Sequence, residues 1–453
     1  MGDFGGLQIA LSSLYAQRKA LDVTGQNLSN VNTEGYSRQR VDMTSDSGPL
    51  TPAFFSQWVG TGMGVKAGSV QRLRDQFLEV RGYQEHATES QLKAQQQALA
   101  EVEQTFGEPS DTGIASQLAD FWAGWDDVAN RPDDIAARSQ LVQRGQTVAA
   151  GLTQADQNLA AQRSTTIEQL DATVQEVNSL AARIADLNSN IQAAVGAGLS
   201  PNDLEDQRDL LISNLADRVG ATVRPGDAGT TDVYVGGTAI VRGTRAETLK
   251  ISTDPTPPND VTVNWVKDGL PAEISGTAGG MVNAINDIIP RYRTQLAAVA
   301  TNLQTVTNAA HASGFDLNGA AGQPFFVTTP TGLAVNAAIV ADPHLVAASS
   351  ASGTLDGSVA SSLATTTSPD DAYRAVVVQL GVESQSATRR VDIQAAITKQ
   401  VDNARDSESG VNLDEEMTNL IQFQHAYDAA ARFMTTIDSC LDTLIHGTGL
   451  VGR

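Results

Sequence analysis

Few residues in this chain have the types and spacing that chemistry requires. Asp46-Ser47-Gly48-Pro49 sets a serine beside an acid, but a serine nucleophile in that setting needs a histidine base earlier in the chain, and the first histidine is His86. Asp, Ser, Gly and Pro are equally the residues of a tight turn, and that is the reading adopted. Gly60-Thr61-Gly62-Met63-Gly64 could cradle a phosphate, yet no lysine and no helix start follow it to aim amides at an anion, so it reads as a bend. His86, His311, His344, His425 and His446 lack metal-ligand spacing, and the single cysteine, Cys440, excludes an intrachain disulfide. Asp316, Asn318 and Gly319 open a calcium-loop pattern whose later ligands are missing, which leaves a hairpin turn. The pairs Asp126–Asp127 and Asp133–Asp134 read as solvated helix starts. No catalytic residue, cofactor or metal is expected.

The strongest pattern is a seven-residue apolar repeat at both ends. Leu7, Leu14, Leu21 and Leu28 form it at the front, and Leu413, Leu420, Tyr427, Met434 and Leu441 at the back. A sustained spacing of seven holds one stripe of a helix against a partner helix, so both ends read as coiled-coil helices. A second seam is expected from Leu11 at the front and from Met417, Ala431, Leu444 and Ile445 at the back. Arg18, Gly25, Gln424 and Asp438 interrupt it. Periodicity alone leaves two alternatives open, since pairing within the chain and pairing between chains bury the same stripe.

Composition narrows the function class. The chain has 453 residues, enough for roughly two to four domains, and 41% are apolar. Aromatic residues are only 5%, which suits long helices packed through small side chains. The net charge of −22 argues against nucleic acid, because phosphate binding needs a basic face. No apolar run approaches ~18 residues, so no membrane span is expected. The first seventeen residues hold no Lys or Arg, so a cleavable secretory signal is not expected either.

The elements follow from punctuation and period. The first helix should fail between Ser29 and Gly35, and residues 36–72 read as strands and loops, with Val41, Met43, Phe54, Phe55, Trp58, Val65 and Val70 as their apolar positions. Helices are expected through Leu92, Leu99 and Phe106, and through Ile114, Leu118, Phe121, Trp122 and Trp125. A rod should run from about Leu152 to Val195, and Ser200 should N-cap a helix lasting to about Gly220. Residues 221–278 read as short strands. Helix resumes after Gly280, with a kink or split at Pro290, and again from about Pro369 to Asn403. The fold class is mainly α with a β insertion, in an elongated multi-domain chain. Residues 1–35 and 411–453 form a terminal coiled-coil domain, 36–220 and 279–410 a discontinuous helical domain with hairpins and loops, and 221–278 a small β-rich outer domain.

The segment from Leu21 through Asn27, Asn30, Asn32, Thr33, Gly35 and Tyr36 resembles the N-terminal signature of bacterial flagellar rod, hook and hook-associated proteins. Ser37-Arg38-Gln39-Arg40-Val41 resembles the hook-associated branch in particular. Residues 410–427 and Leu441-Asp442-Thr443-Leu444 are similar to the other end of the same branch, and Phe121 to Pro132, Asn202 to Asp209 and Gly314 to Gly319 resemble its interior landmarks. The resemblance implies a structural, non-enzymatic subunit at the hook–filament junction, exported through the flagellar type III route and located outside the cell. It also implies terminal segments that are poorly ordered in the monomer and pair on assembly. The partners implied are further copies of the chain, the hook protein, a second junction protein of the FlgL type, and an export chaperone of the FlgN type at the C-terminal helix. The insertion is short beside larger family members, so a further outer domain is expected to be missing. A hook or distal-rod protein is the nearer alternative, and a secreted enzyme or effector dimerised by its ends the farther one.

Overall fold

Helices with one apolar face need a second layer, and this chain supplies it from its own long helices. The computed structural model describes residues 3–46, 62–254, 256 and 259–447. The order is α1 (Asp3–Ser29), β1 (Gln39–Ser45), β2 (Val65–Arg72), α2 (Gln76–Phe106), α3 (Ile114–Asn130), α4 (Ile135–Gly196) and α5 (Asn202–Val219). The β insertion follows as β3 (Thr222–Pro225), β4 (Thr231–Val235), β5 (Thr238–Arg242), β6 (Arg245–Ala246), β7 (Leu249–Thr253) and β8 (Val261–Trp265). Then come α6 (Gly276–Asn283), α7 (Ile289–Ala312), β9 (Phe326–Thr329), β10 (Gly332–Val335), α8 (Ala337–Ala341), α9 (Ser358–Ala364), α10 (Ser368–Ser409) and α11 (Leu413–Gly447). The class is mainly α with a β insertion, as expected. Phe54, Phe55 and Trp58, the turn at Ser47-Gly48-Pro49, and Gly60 and Thr61 lie outside the described residues.

Two apolar cores organise the body. The first joins the end of α2, α3, the first half of α4, α7, the β9–β10 hairpin and the start of α10. At its centre Phe121 lies 5.4 Å from Phe326, and Trp125 5.5 Å from Phe325, between ring centroids. The second joins Leu170, Val177 and Ile184 of α4 and Ile212 and Leu215 of α5 to Val233, Ile240, Val263 and Trp265 of the strands. Residues 221–278 therefore share their core with α4 and α5. Their small antiparallel sheets, β3-β4-β5-β6 and β7-β8, each have one apolar face, and α4 and α5 cover it.

Three local expectations are corrected. The rod begins seventeen residues before Leu152, at Ile135, because Asp134 caps it by accepting the Ala136 N–H and because Leu141, Val142 and Val148 pack into the first core. Its 62 residues span roughly 93 Å at 1.5 Å per residue. Ser200 caps nothing: α5 starts at Asn202 directly after Pro201, with no side-chain cap, and Asp203 and Glu205 stand in its first turn. Pro290 does not break its helix. Residues Ala284–Ile288 wind as a π turn just before it, which leaves the proline in the first turn of α7, where its missing N–H is tolerated.

Five asparagines tie helices to strands in one repeated way. Asn27 of α1, Asn178 and Asn188 of α4, Asn286 of the π turn and Asn308 of α7 each donate to the carbonyl, and accept from the N–H, of a single strand residue. Those residues are Gln39, Leu249, Thr231, Val261 and Phe326 respectively, with bonds of 2.8–3.1 Å. Each is the first residue of its strand. An asparagine amide carries a donor and an acceptor side by side, as a neighbouring strand would, so it satisfies the two backbone groups a strand end leaves open. Asn188, fully buried, also donates to the Gly243 carbonyl at 2.7 Å. Asn188→Leu strands these groups and should lower stability by roughly 2–4 kcal/mol, read as a fall in urea midpoint at constant slope.

Candidate functional site

α1 and α11 pair with each other within one chain, antiparallel. Gly6 faces Ile437 at one end, and Asn27 donates to Glu416 at 3.0 Å at the other. The seam of α11 is Glu416, Leu420, Phe423, Tyr427, Ala430, Met434, Ile437 and Leu441, alternating by four and three residues, all buried or half-buried. The buried positions of α1, Ala10, Ala16, Ala20, Thr24 and Asn27, are small or short and are covered by α11 and the β1–β2 ribbon together. Small residues let the two backbones approach closely. A Cβ at Gly6 would lie 3.0 Å from the Ile437 Cδ1.

This arrangement redistributes the residues singled out by spacing. Leu420, Tyr427, Met434 and Leu441 line the α11 seam, as the repeat suggested. Leu7, Leu14, Leu21 and Leu28 do not face its centre: they run half-buried along one flank of α1. The second stripe of α11 is shifted by one residue from the expected one, so Phe423, Ala430 and Ile437 are inside, while Met417 (46% exposed) and Ile445 (72%) are not; Leu413, the first member of the other stripe, is 48% exposed. Leu11 and Leu444 are exposed as well. The resemblance implied disorder of these ends in the monomer. In the structure α1 and α11 pack on each other within the chain.

The signature residues form a latch around that pair. Asn27 Oδ1 accepts from Tyr36 Oη at 2.9 Å and from the Gln39 N–H, and its amide donates to Gln39 and Glu416. Arg38 reaches Glu416 at 2.7 Å and Glu415 at 2.8 Å, and its N–H donates to the Ser409 carbonyl. Asn30 donates to the Gln26 carbonyl and accepts from Thr33, closing the end of α1. Gly35 has φ +78°, and a Cβ there would press on Leu210 at 3.2 Å, so a side chain is disfavoured twice. Asn32 is exposed.

Below the latch, the β1–β2 ribbon meets the body through charge. Arg72 contacts Glu205, Asp206 and Asp209 at 2.9 Å each, Arg74 pairs with Glu79 at 2.6 Å and with Asp209, and Arg405 of α10 reaches Glu79 at 2.8 Å. Asp206 also accepts the Ser37 N–H. Burial pushes the Asp209 carboxyl up, but the guanidinium groups of Arg74, Arg208 and Arg72 outweigh it and hold it below the usual carboxylate range. Sequence reasoning missed this joint. The acids at 203–209 recur at helical spacing, but nothing in the sequence assigns arginines more than a hundred residues away to them.

Among the described residues no group of His, Cys, Asp and Glu could hold a metal ion, and no helix is long and apolar enough to cross a membrane. Asp316 of the calcium-like fragment spends one oxygen on the Asn318 and Ala320 N–H groups, which makes an ordinary turn.

Comparison with known proteins agrees with this geometry. The family model of the flagellar hook-associated protein FlgK helical domain matches residues 99–326. The models of the flagella basal body rod protein and of the flagellar basal body rod FlgEFG protein C-terminal match residues 7–36 and 404–446. Flagellar hook-associated protein 1 of Bacillus subtilis is 30% identical, with 99% of each chain covered, and that of Escherichia coli is 26% identical over 96% of this chain and 98% of its own. The solved flagellar hook junction protein FlgK from Burkholderia pseudomallei is 28% identical, with a TM-score of 0.50 over 55% of this chain and 46% of that one. The chain belongs to the FlgK family, the flagellar hook-associated proteins 1, and is a structural component of the flagellum, not an enzyme.

Proposed function

We infer that this chain is a subunit of the junction between hook and filament and enters the flagellum through its paired terminal helices. One observation carries the reading. The α1–α11 pair contributes to neither core of the body, yet leaves Leu11, Tyr15, Leu413, Met417, Ile421 and Ile445 exposed. Apolar side chains on an exposed two-helix unit gain by burial against neighbouring subunits. In this reading residues 1–35 and 411–453 form the inner, assembling unit, and Leu7, Leu14, Leu21 and Leu28 supply its half-buried flank. The body between them carries the outer surface. Further copies, the hook protein and a second junction protein would meet the inner unit, and an export chaperone would cover α11 before secretion by the type III route to the cell exterior.

Leu420→Asp tests this. It puts a charge into the α11 seam, so the variant should be absent from isolated flagella while the soluble protein keeps all helix signal except at most the share of α1 and α11. Normal incorporation, or collapse of the whole helical signal, would overturn the reading.

A further inference from the structure

α2 packs against both α5 and α10, and His86 reaches both from it. Its Nε2 lies 3.0 Å from Asp402 Oδ1 of α10, and its Nδ1 lies 3.8 Å from Asp217 Oδ1 of α5. All three side chains are half-buried. Asp402 Oδ1 also accepts from Arg405 at 3.3 Å, whereas Asp217 Oδ1 is buried and has no hydrogen-bond partner among the described residues. The other charges around the ring are committed to partners. Lys93 holds Glu89 at 2.6 Å, Arg81 holds Glu85 at 3.5 Å, Arg405 holds Glu79 at 2.8 Å, and Arg218, next to Asp217, holds Glu176 of α4 at 3.1 Å. α6, which packs on α2 and meets Asp217 through Thr277, carries no charged residue.

A neutral imidazole cannot serve both carboxylates. With its proton on Nε2 it donates to Asp402 and turns the Nδ1 lone pair towards Asp217; with the proton on Nδ1 it turns the Nε2 lone pair towards Asp402 instead. Only the imidazolium presents an N–H to each side. Burial pushes the Asp217 carboxyl above its usual range, and the charge of His86 is the largest pull in the opposite direction. The two helices joined at this point both lead to the terminal unit. α5 supplies Asp206 and Asp209 to the charged joint below the latch, and α10 carries Arg405 of the same joint before passing through Gly410 to α11.

We propose that His86 is a proton-operated clamp: protonated, it ties α5 to α10 across α2, and on losing the proton it releases one of them. Histidine is the side chain that ordinarily changes charge between about pH 5 and 8. The fold favours the charged ring, so the contribution of the clamp is complete below about pH 6.5, where the unfolded chain binds the proton as well, and is lost as the pH rises. Asp209 of the neighbouring joint, held below the usual carboxylate range, keeps its charge throughout that interval. Mild acid therefore firms the attachment of α10 to the body, and alkaline conditions slacken it. The clamp works within one chain and is independent of what that chain assembles with.

The test is hydrogen exchange of the full soluble chain at about pH 6 and about pH 8.5, with each rate divided by the intrinsic rate at that pH. Peptides from the last third of α10 should be roughly threefold better protected at the lower pH, the scale of a half-exposed ion pair. Peptides from α3, in the first core, should show no such difference. His86→Gln should erase the pH dependence of α10, because glutamine does not titrate. Asp217→Asn should erase it by another route, since its amide can donate to the neutral ring and both sides are then served at either pH. The two variants remove different partners, so a folding defect in one leaves the other to decide. Equal protection of α10 at both pH values in the unaltered chain, or a pH dependence that survives in a folded variant, would overturn the clamp.

Discussion

Asp209→Asn should cost roughly 3–5 kcal/mol of stability, the range for removing one partner of a buried ion network. Asp209 is the point where Arg72, Arg74 and Arg208 converge, and its side chain is 13% exposed. Asparagine keeps the shape but not the charge, so three guanidinium groups lose their common counter-ion. The measurement is the urea midpoint, with Asp171→Asn on the exposed face of α4 as a control expected to move it by less than about 0.5 kcal/mol. The pH dependence has a definite sign. The folded carboxyl titrates below its usual range, so its contribution is complete above about pH 4 and is lost as pH falls towards the depressed value. The gap between wild type and variant should close on acidification. Because this joint connects the ribbon to α2, α5 and α10, the variant should also loosen the terminal unit on the body, read as faster proteolysis between β2 and α2.

Trp125→Ala should remove roughly 3–5 kcal/mol, the cost of deleting a fully buried large aromatic side chain. Phe121, Phe325 and His311 surround the indole with ring centroids 5.5–6.2 Å away. Its Nε1 has no hydrogen-bond partner among the described residues, so the loss comes from packing, and Trp125→Phe should cost much less. The adjoining His311 gives this core a pH dependence of its own. Its ring is buried between the Gln323 carbonyl and the Ala347 N–H, which donates to Nε2 at 2.8 Å. Burial pushes its pKa down to about 4. The unfolded chain therefore takes up this proton first, and thermal stability should fall as pH drops from about 6.5 towards 4, a fall that His311→Gln should reduce.

The site was legible in part. The heptad at each end named the helices that pair, because a period of seven is a property of one helix and survives whatever partner it finds. It did not name the face that pairs. Leucines at 7, 14, 21 and 28 are the larger apolar residues of α1, but its most buried positions are Ala10, Ala16, Ala20 and Thr24, since small side chains admit a neighbouring backbone. The same limit shifted the second stripe of α11 from Met417 to Phe423, Ala430 and Ile437. The signature asparagines were visible as turn formers, but only Gln39, Tyr36 and Glu416 folded around Asn27 reveal a residue that satisfies three segments at once.

Amino-acid order alone determined the helical period, the breaks at Gly35 and Gly220, and the change to strand-forming composition after residue 220. These are local properties, set by backbone preference and by which faces of an element are apolar. Tertiary structure alone decided that the β segment shares a core with α4 and α5, that the terminal helices pair within the chain, and that Arg72 and Arg74 meet the acids of α5. Each of these depends on which distant groups can be desolvated together, and that choice is made only when the whole chain competes for the same neighbours.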